Sequence, residues 1–190
     1  MYASATKPQL IAPVLVLLAA GCGTTRGGDE HPFPRFTIEA IGDPSSLPQP
    51  GAIEFRTGQD RYALTDTAQG VQVEIAFTYA NRTGTTVYVR NCNQSAPPGL
   101  EKQVDGEWVL AWAPVVNLCL SPPIEIPDGF RYSATLGVVG GGPGSNIYPQ
   151  FSVDDLGGMY RLSWWALYGS SAELPQPLKV SSEFALDGPQ

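Results

Sequence analysis

The chain contains three cysteines, Cys22, Cys92 and Cys119, and their thiols are its most reactive side chains. A cysteine thiolate is a nucleophile and a metal ligand, and two thiols can oxidise to a disulfide. None of the three lies in a Cys-x-x-Cys motif or beside a histidine, so their spacing argues against redox and zinc sites. Their roles therefore depend on the compartment in which the chain resides.

Other residue types offer little for catalysis. His31 is the only histidine, and it lies in a segment rich in glycine and proline. Catalytic sites of the Ser-His-Asp and Cys-His kinds, and zinc sites built on histidine, would need another one. Asp154 and Asp155 could be read as a carboxylate pair or a calcium site, but adjacent acids usually point apart and suit a turn. We therefore expect no catalytic residues, no metal ligands and no cofactor.

The charge distribution argues against nucleic acid as a partner. The net charge is −7, and the 11 lysines and arginines are scattered singly along the chain. A protein that binds nucleic acid needs a basic stripe to displace counterions from phosphates. The sequence has no such stripe.

The first 22 residues have the three parts of a secretory signal peptide. Lys7 lies in a short amino-terminal region without acids, an apolar run extends from Leu10 to Leu18, and small residues precede Cys22. A transmembrane helix needs roughly 20 apolar residues, and Pro13 interrupts this shorter run. The pattern therefore favours a cleaved signal over a permanent membrane span.

The stretch from Leu18 to Cys22, Leu-Ala-Ala-Gly-Cys, resembles the lipobox of bacterial lipoproteins. The resemblance implies that residues 1–21 are removed, that Cys22 receives a covalent lipid, and that its amine is often acylated as well. Several acyl chains hold a protein durably on a bilayer, whereas one binds only marginally. Ala19 stands where the family prefers leucine, and an ordinary secretory signal with an incidental Cys22 is the alternative.

Lipidation of Cys22 would leave Cys92 and Cys119 as a pair in an oxidising compartment. A disulfide between them would close a loop of about 28 residues and stabilise the fold by roughly 3–4 kcal/mol on the chain-entropy model. Two buried free thiols are the alternative. We predict the disulfide.

The sequence predicts three regions: the signal peptide (residues 1–21), a flexible linker (22–36) and a single domain (37–190). Glycine, proline and polar residues without periodicity are typical of a linker. In Gram-negative lipoproteins an aspartate after the lipidated cysteine tends to retain the protein at the inner membrane. Gly23 at that place therefore favours the outer membrane if the cell is Gram-negative.

The domain shows many strand signals and no convincing helix. Residues 71–79 alternate apolar side chains with polar or small ones, and we expect a hairpin from them to 85–90 through the turn at 81–84. A second hairpin is predicted for 100–104 and 107–112, because Asp105-Gly106 is a strong turn signal. The other predicted strands are 36–40, 52–56, 61–64, 124–126 (at a sheet edge), 132–139, 160–168 and 178–186. This spacing indicates an all-β fold, a β-sandwich.

Several segments resemble immunoglobulin-like domains of the bacterial envelope. The resemblance rests on the order of four segments, namely Tyr79–Gly84, Gly106–Val109, Asp154–Leu162 and Ser181–Leu186. It implies an immunoglobulin-like β-sandwich of about seven to nine antiparallel strands. It also implies a tyrosine corner in which Gly157 allows a tight turn and the hydroxyl of Tyr160 bonds to backbone upstream. Leu162 stands where antibody domains carry a cysteine.

The pair Trp164-Trp165 offers a candidate contact surface. Adjacent residues of a strand face opposite sides of a sheet. If Tyr160 faces the core, Trp164 does too, and Trp165 faces outward beside Met159 and Arg161. An exposed tryptophan near an arginine suits a protein or sugar partner, although a loop or second sheet face covering Trp165 is the alternative.

These expectations favour a lipid-anchored envelope protein with a non-catalytic binding or scaffolding module. Its partners would be a membrane, through the lipid, and an unidentified protein or glycan. Some bacterial sandwich domains of similar appearance inhibit proteases through an exposed loop, and the proline-rich Cys92–Cys119 segment is the alternative site for such a role. A hydrolase or metal-binding enzyme is the least favoured reading.

Overall fold

A computed structural model describes residues 36–42, 54–93, 95–116, 121–170 and 174–189. All of them belong to the unit Pro32–Gln190. The predicted signal peptide, Cys22, most of the linker and Cys119 lie outside the described residues. Phe36, where the predicted linker (22–36) and the predicted strand (36–40) overlap, is the first residue of a strand.

The regular secondary structure of the described residues is almost entirely β-strand. Their only helical segment is a 3-10 turn at Gln176–Leu178, and no described helix is long and apolar enough to cross a membrane. The strands are β1 (Phe36–Ala40), β2 (Glu54–Thr57), β3 (Arg61–Ala63), β4 (Thr65–Thr67), β5 (Gly70–Ala80), β6 (Val87–Val89), β7 (Gly99–Val104), β8 (Glu107–Trp112), β9 (Ile124–Ile126), β10 (Phe130–Gly140), β11 (Gly158–Ser163), β12 (Leu167–Gly169) and β13 (Phe184–Asp187). The all-β prediction is confirmed. The described residues hold 13 strands rather than seven to nine, because several strands are divided into segments of three or four residues.

The first sheet has the order β1-β10-β5-β2. β4 also pairs with β5, but with the start of that strand, whereas β2 pairs with its end. β5 and β10 form its centre, an antiparallel pair that runs from Ala80 opposite Arg131 to Val71 opposite Gly140. Along β5 the buried and exposed residues alternate, as predicted from the sequence. One face of this sheet therefore packs on the core and the other faces solvent.

The second sheet has the order β3-β13-β11-β7-β8, in which only the β3–β13 pair is parallel. β7 and β8 form the predicted hairpin. Asp105 and Gly106 have φ angles of 51° and 87°. Positive φ at both central residues is the geometry of a type I′ turn, whose twist matches that of the flanking strands.

The third sheet, β12-β6-β9, overturns two sequence predictions. β6 pairs with β9 and β12 instead of forming a hairpin with β5. The predicted strand 160–168 is divided between sheets, because a β-turn closed by the Leu167 N–H and the Trp164 carbonyl oxygen (3.2 Å) separates β11 from β12. β9 lies at the edge of its sheet, as expected.

A single hydrophobic core joins the sheets, with Trp164 among its largest side chains. The Trp164 ring lies 5.5 Å from Phe77 and 4.9 Å from Tyr132, measured between ring centroids. Both partners come from the first sheet, whereas Trp164 directly follows β11 of the second. The core therefore lies between the two sheets, as in a β-sandwich.

Candidate functional site

The predicted corner residue Tyr160 is fully buried at the start of β11. Its hydroxyl donates to the carbonyl oxygen of Leu156 at 3.0 Å. Burial, and secondarily the negative charge of Asp155, raise the pKa of the Tyr160 phenol above its usual value. The phenol therefore stays neutral and acts as a hydrogen-bond donor.

We expect Tyr160→Phe to lower the free energy of unfolding by about 1–2 kcal/mol, because the Leu156 carbonyl loses its buried donor. Met159, on the opposite face of β11, is 39% exposed. Met159→Ala should therefore cost about 0.5 kcal/mol. Urea denaturation of both variants tests this orientation. A neutral Tyr160→Phe combined with a damaging Met159→Ala would contradict it.

Asp155, the second of the adjacent acids 154 and 155, serves the turn before this strand. One oxygen of Asp155 accepts the Gly157 N–H at 3.0 Å, and the other lies 3.2 Å from the Lys102 ammonium. The Gly157 hydrogen bond and then the Lys102 interactions lower the pKa of Asp155. Within the described residues, no group of three or more His, Cys, Asp or Glu could hold a metal ion.

The two tryptophans differ as expected in their exposure. Trp164 is fully buried, and its indole N–H donates to the Ala96 carbonyl oxygen at 2.6 Å, whereas Trp165 is 59% exposed. Trp165 lies in the turn after β11 rather than on the strand. Its exposure therefore follows from the turn and not from strand alternation.

Arg161 belongs to a different contact from the one predicted. Its guanidinium lies over the Trp108 ring at 4.4 Å from the centroid, and its Nε and Nη2 each lie 2.7 Å from one oxygen of Glu101. The exposed fraction of the Arg161 side chain is 19%. Glu101 and Trp108 thus engage the Arg161 guanidinium, and the role of Arg161 and Trp165 in a partner contact stays a prediction.

A surface on the third sheet brings other residues together, and its strand β12 begins two residues after the exposed Trp165. Tyr88 on β6 lies opposite Tyr168 on β12, with their rings stacked at 5.5 Å. The Arg90 guanidinium lies over the Tyr168 ring at 5.2 Å, and the Arg90 N–H donates to the Ala166 carbonyl oxygen at 3.0 Å. We call Tyr88, Arg90, Trp165 and Tyr168 the aromatic surface.

Three of these four residues were not predicted from the sequence as contact residues. Tyr88 and Arg90 lie within a predicted strand, and Tyr168 ends another, but they are about 80 positions apart in the chain. The alternation of Val87-Tyr88-Val89-Arg90 was the available signal, since it predicts that Tyr88 and Arg90 share a face. Their partners on β12 had no local signal.

The segment around Cys92 forms a tight bend, in which Cys92 and Ser95 exchange backbone hydrogen bonds of 2.8 and 2.9 Å. Cys92 also has a further interaction partner. Cys119 lies outside the described residues. The Cys92–Cys119 disulfide therefore stays a prediction, as does lipidation of Cys22.

Comparisons with known proteins find no relative of this chain. No protein-family model matches the chain, and no curated protein or solved structure matches it. The structure defines an all-β protein in which two five-stranded sheets share a core and a small third sheet carries the aromatic surface.

Proposed function

We propose that this chain is a lipid-anchored protein of the bacterial cell envelope. Its exported part is a non-catalytic, immunoglobulin-like module that binds a protein partner through the aromatic surface. The anchor rests on the sequence from Lys7 to Cys22, and the module rests on the strand order and the aromatic surface.

The strand order supports the immunoglobulin-like part of the proposal. In such domains one sheet holds strands A, B, E and D, and the other holds C, F and G. In chain order, β5 and β10 occupy the places of B and E. The places of C, F and G belong to β7, β11 and β13, and the hydrogen bond from Tyr160 to Leu156 lies just before the F position.

Two features depart from that pattern. β1 occupies the place beside β10 that belongs to strand D, although it precedes all other strands in the sequence. The third sheet is an addition, made by β6 between the B and C positions, β9 before E and β12 between F and G. The aromatic surface therefore lies on the part that distinguishes this chain from a simple immunoglobulin-like domain.

The composition of the aromatic surface is the observation that carries the binding function. Tyrosine, tryptophan and arginine are the residues most enriched at energetically dominant positions of protein interfaces. The Tyr88–Tyr168 stack and the overlying Arg90 hold these three side chains in fixed positions before any partner arrives. Binding would then cost less side-chain entropy.

Photo-crosslinking tests the surface in the intact envelope. Glu125 is exposed on β9, directly across from Tyr88, and provides a position for a photoreactive residue that leaves the aromatic surface unchanged. We expect a discrete crosslinked protein whose yield falls about tenfold or more in the double variant Arg90→Ala/Trp165→Ala, because truncating such residues typically costs 2 kcal/mol or more.

The control is Tyr148→Ala, because Tyr148 is 76% exposed but lies in the loop after β10. Its crosslinking yield should equal that of the unmodified chain. A yield that survives the double variant, or that falls equally in the Tyr148 control, contradicts the proposed surface.

A further inference from the structure

A groove with a volume of about 660 Å³ lies along the first sheet and is bordered by β3 and β13 of the second sheet. β2 pairs with β5 from Phe77 to Ala80, and β4 pairs with it from Gly70 to Gln72. Between these pairings the chain crosses to the second sheet and forms β3 beside β13. The groove lies at the resulting gap along β5.

The floor of the groove is formed by β5 and β10. Gln72 and Glu74 are exposed on β5, and Gly137 of β10 lies directly opposite Glu74. Because Gly137 has no side chain, the backbone of β10 is open to a ligand at this point. A longer side chain at this lining position would occupy part of the groove.

The walls of the groove carry polar groups of several kinds. Gln59 and Thr65 contribute an amide and a hydroxyl, each able both to donate and to accept hydrogen bonds. Arg61 and Asp187 form an ion pair across the parallel β3–β13 pair. The side chains that line the groove carry a net negative charge from Glu74, because the charges of Arg61 and Asp187 offset each other.

A second depression, of about 350 Å³, continues along the same two strands. Apart from Phe77, its lining consists of short side chains and a glycine, including Gly58, Ala76, Thr78, Ser133 and Thr135. From Gln72 to Thr78 the two depressions follow six steps of β5, a length of about 20 Å at 3.3 Å per residue. The combined track therefore suits a chain-like ligand.

We infer that this track binds a neutral or amino-substituted oligosaccharide chain. Sugar hydroxyls both donate and accept hydrogen bonds, and amide, hydroxyl and carboxylate side chains match both roles. An apolar ligand would leave these polar groups desolvated without partners. The negative charge of Glu74 disfavours an anionic ligand. This site is separate from the aromatic surface and does not depend on it.

Isothermal titration of the full chain in detergent with chitotetraose, and separately with maltotetraose, tests the inference. We expect at least one of the two tetrasaccharides to bind. Gly137→Gln, which fills the floor, should weaken that binding tenfold or more. Gln72→Ala should weaken it about fivefold, the loss of one typical hydrogen bond.

Gln103→Ala is the matched control, because Gln103 is an exposed glutamine on β7 of the other sheet. Binding by this variant should equal that of the unmodified chain. The inference is overturned if neither tetrasaccharide binds at millimolar concentration, or if both groove variants bind as tightly as the control. Equal binding of a glycine-serine octapeptide would overturn the assignment to sugars.

Discussion

Replacing Trp164 with alanine should lower the free energy of unfolding by about 3–5 kcal/mol, the usual cost of removing a buried tryptophan. The ring is fully buried and contacts aromatic rings from three positions of β2 and β5, with centroids 5.7 Å from Phe55, 5.5 Å from Phe77 and 5.8 Å from Tyr79. The substitution also removes the donor from the Ala96 carbonyl. Domains are typically stable by only 5–15 kcal/mol, so this is a large share.

Urea denaturation followed by far-ultraviolet circular dichroism measures this effect without relying on tryptophan fluorescence. Trp164→Phe keeps an aromatic ring but loses the indole donor, and should cost about 1–3 kcal/mol. Trp165→Ala is the matched control and should change stability by no more than about 0.5 kcal/mol, because Trp165 is mainly exposed. A larger loss from Trp165→Ala than from Trp164→Ala would contradict the assignment of the core.

The elements that were predicted correctly are those whose sequence signals lie within a few neighbouring residues. The alternation in residues 71–79 identifies β5 and its buried face, and Asp105-Gly106 identifies the turn between β7 and β8. Both signals need only neighbouring residues, since side-chain alternation and turn chemistry are set within a few positions. The burial of Tyr160 was expected instead from the resemblance to immunoglobulin-like domains, which implies a tyrosine corner.

The pairing of β6 could not be predicted from the sequence, because hydrogen bonds from a buried asparagine connect the segment after β5 to the end of β9. Asn81 is fully buried, and its side-chain amide donates to the carbonyl oxygens of Thr85 (2.7 Å) and Ile126 (2.8 Å). Its side-chain oxygen accepts the Thr83 N–H at 3.0 Å. The turn predicted at 81–84 exists, but Asn81 joins it to the end of β9, 45 positions later.

The candidate contact surface was only partly predictable for the same reason. The exposure of Trp165 was expected, but Arg161, two positions before the end of β11, has a half-buried carboxylate as its partner from β7. The arginine near Trp165 is Arg90, which the β6–β12 pairing brings there. Residue type was a good guide to which side chains are used in contacts, whereas the partners depended on sheet pairing.

The largest expected change in behaviour is the loss of membrane attachment in Cys22→Ser. A serine hydroxyl cannot form the thioether that the resemblance to bacterial lipoproteins implies at Cys22. Each buried methylene contributes about 0.8 kcal/mol to membrane binding, so removing all acyl chains should abolish durable attachment. The variant should either leave the membrane fraction or retain its uncleaved signal.

Metabolic labelling with an alkyne fatty acid, together with intact-mass spectrometry, distinguishes these outcomes from an unchanged protein. The unmodified chain should incorporate the label and begin at Cys22, and Cys22→Ser should incorporate none. Cys92→Ser is the control, because a cysteine in the folded domain should not affect labelling at residue 22. If Cys22→Ser is still cleaved before residue 22 and still partitions into detergent, Cys22 is incidental and the lipid anchor is wrong. The aromatic surface and the groove would then belong to a protein exported by an ordinary signal peptide, since neither site depends on the anchor for its geometry.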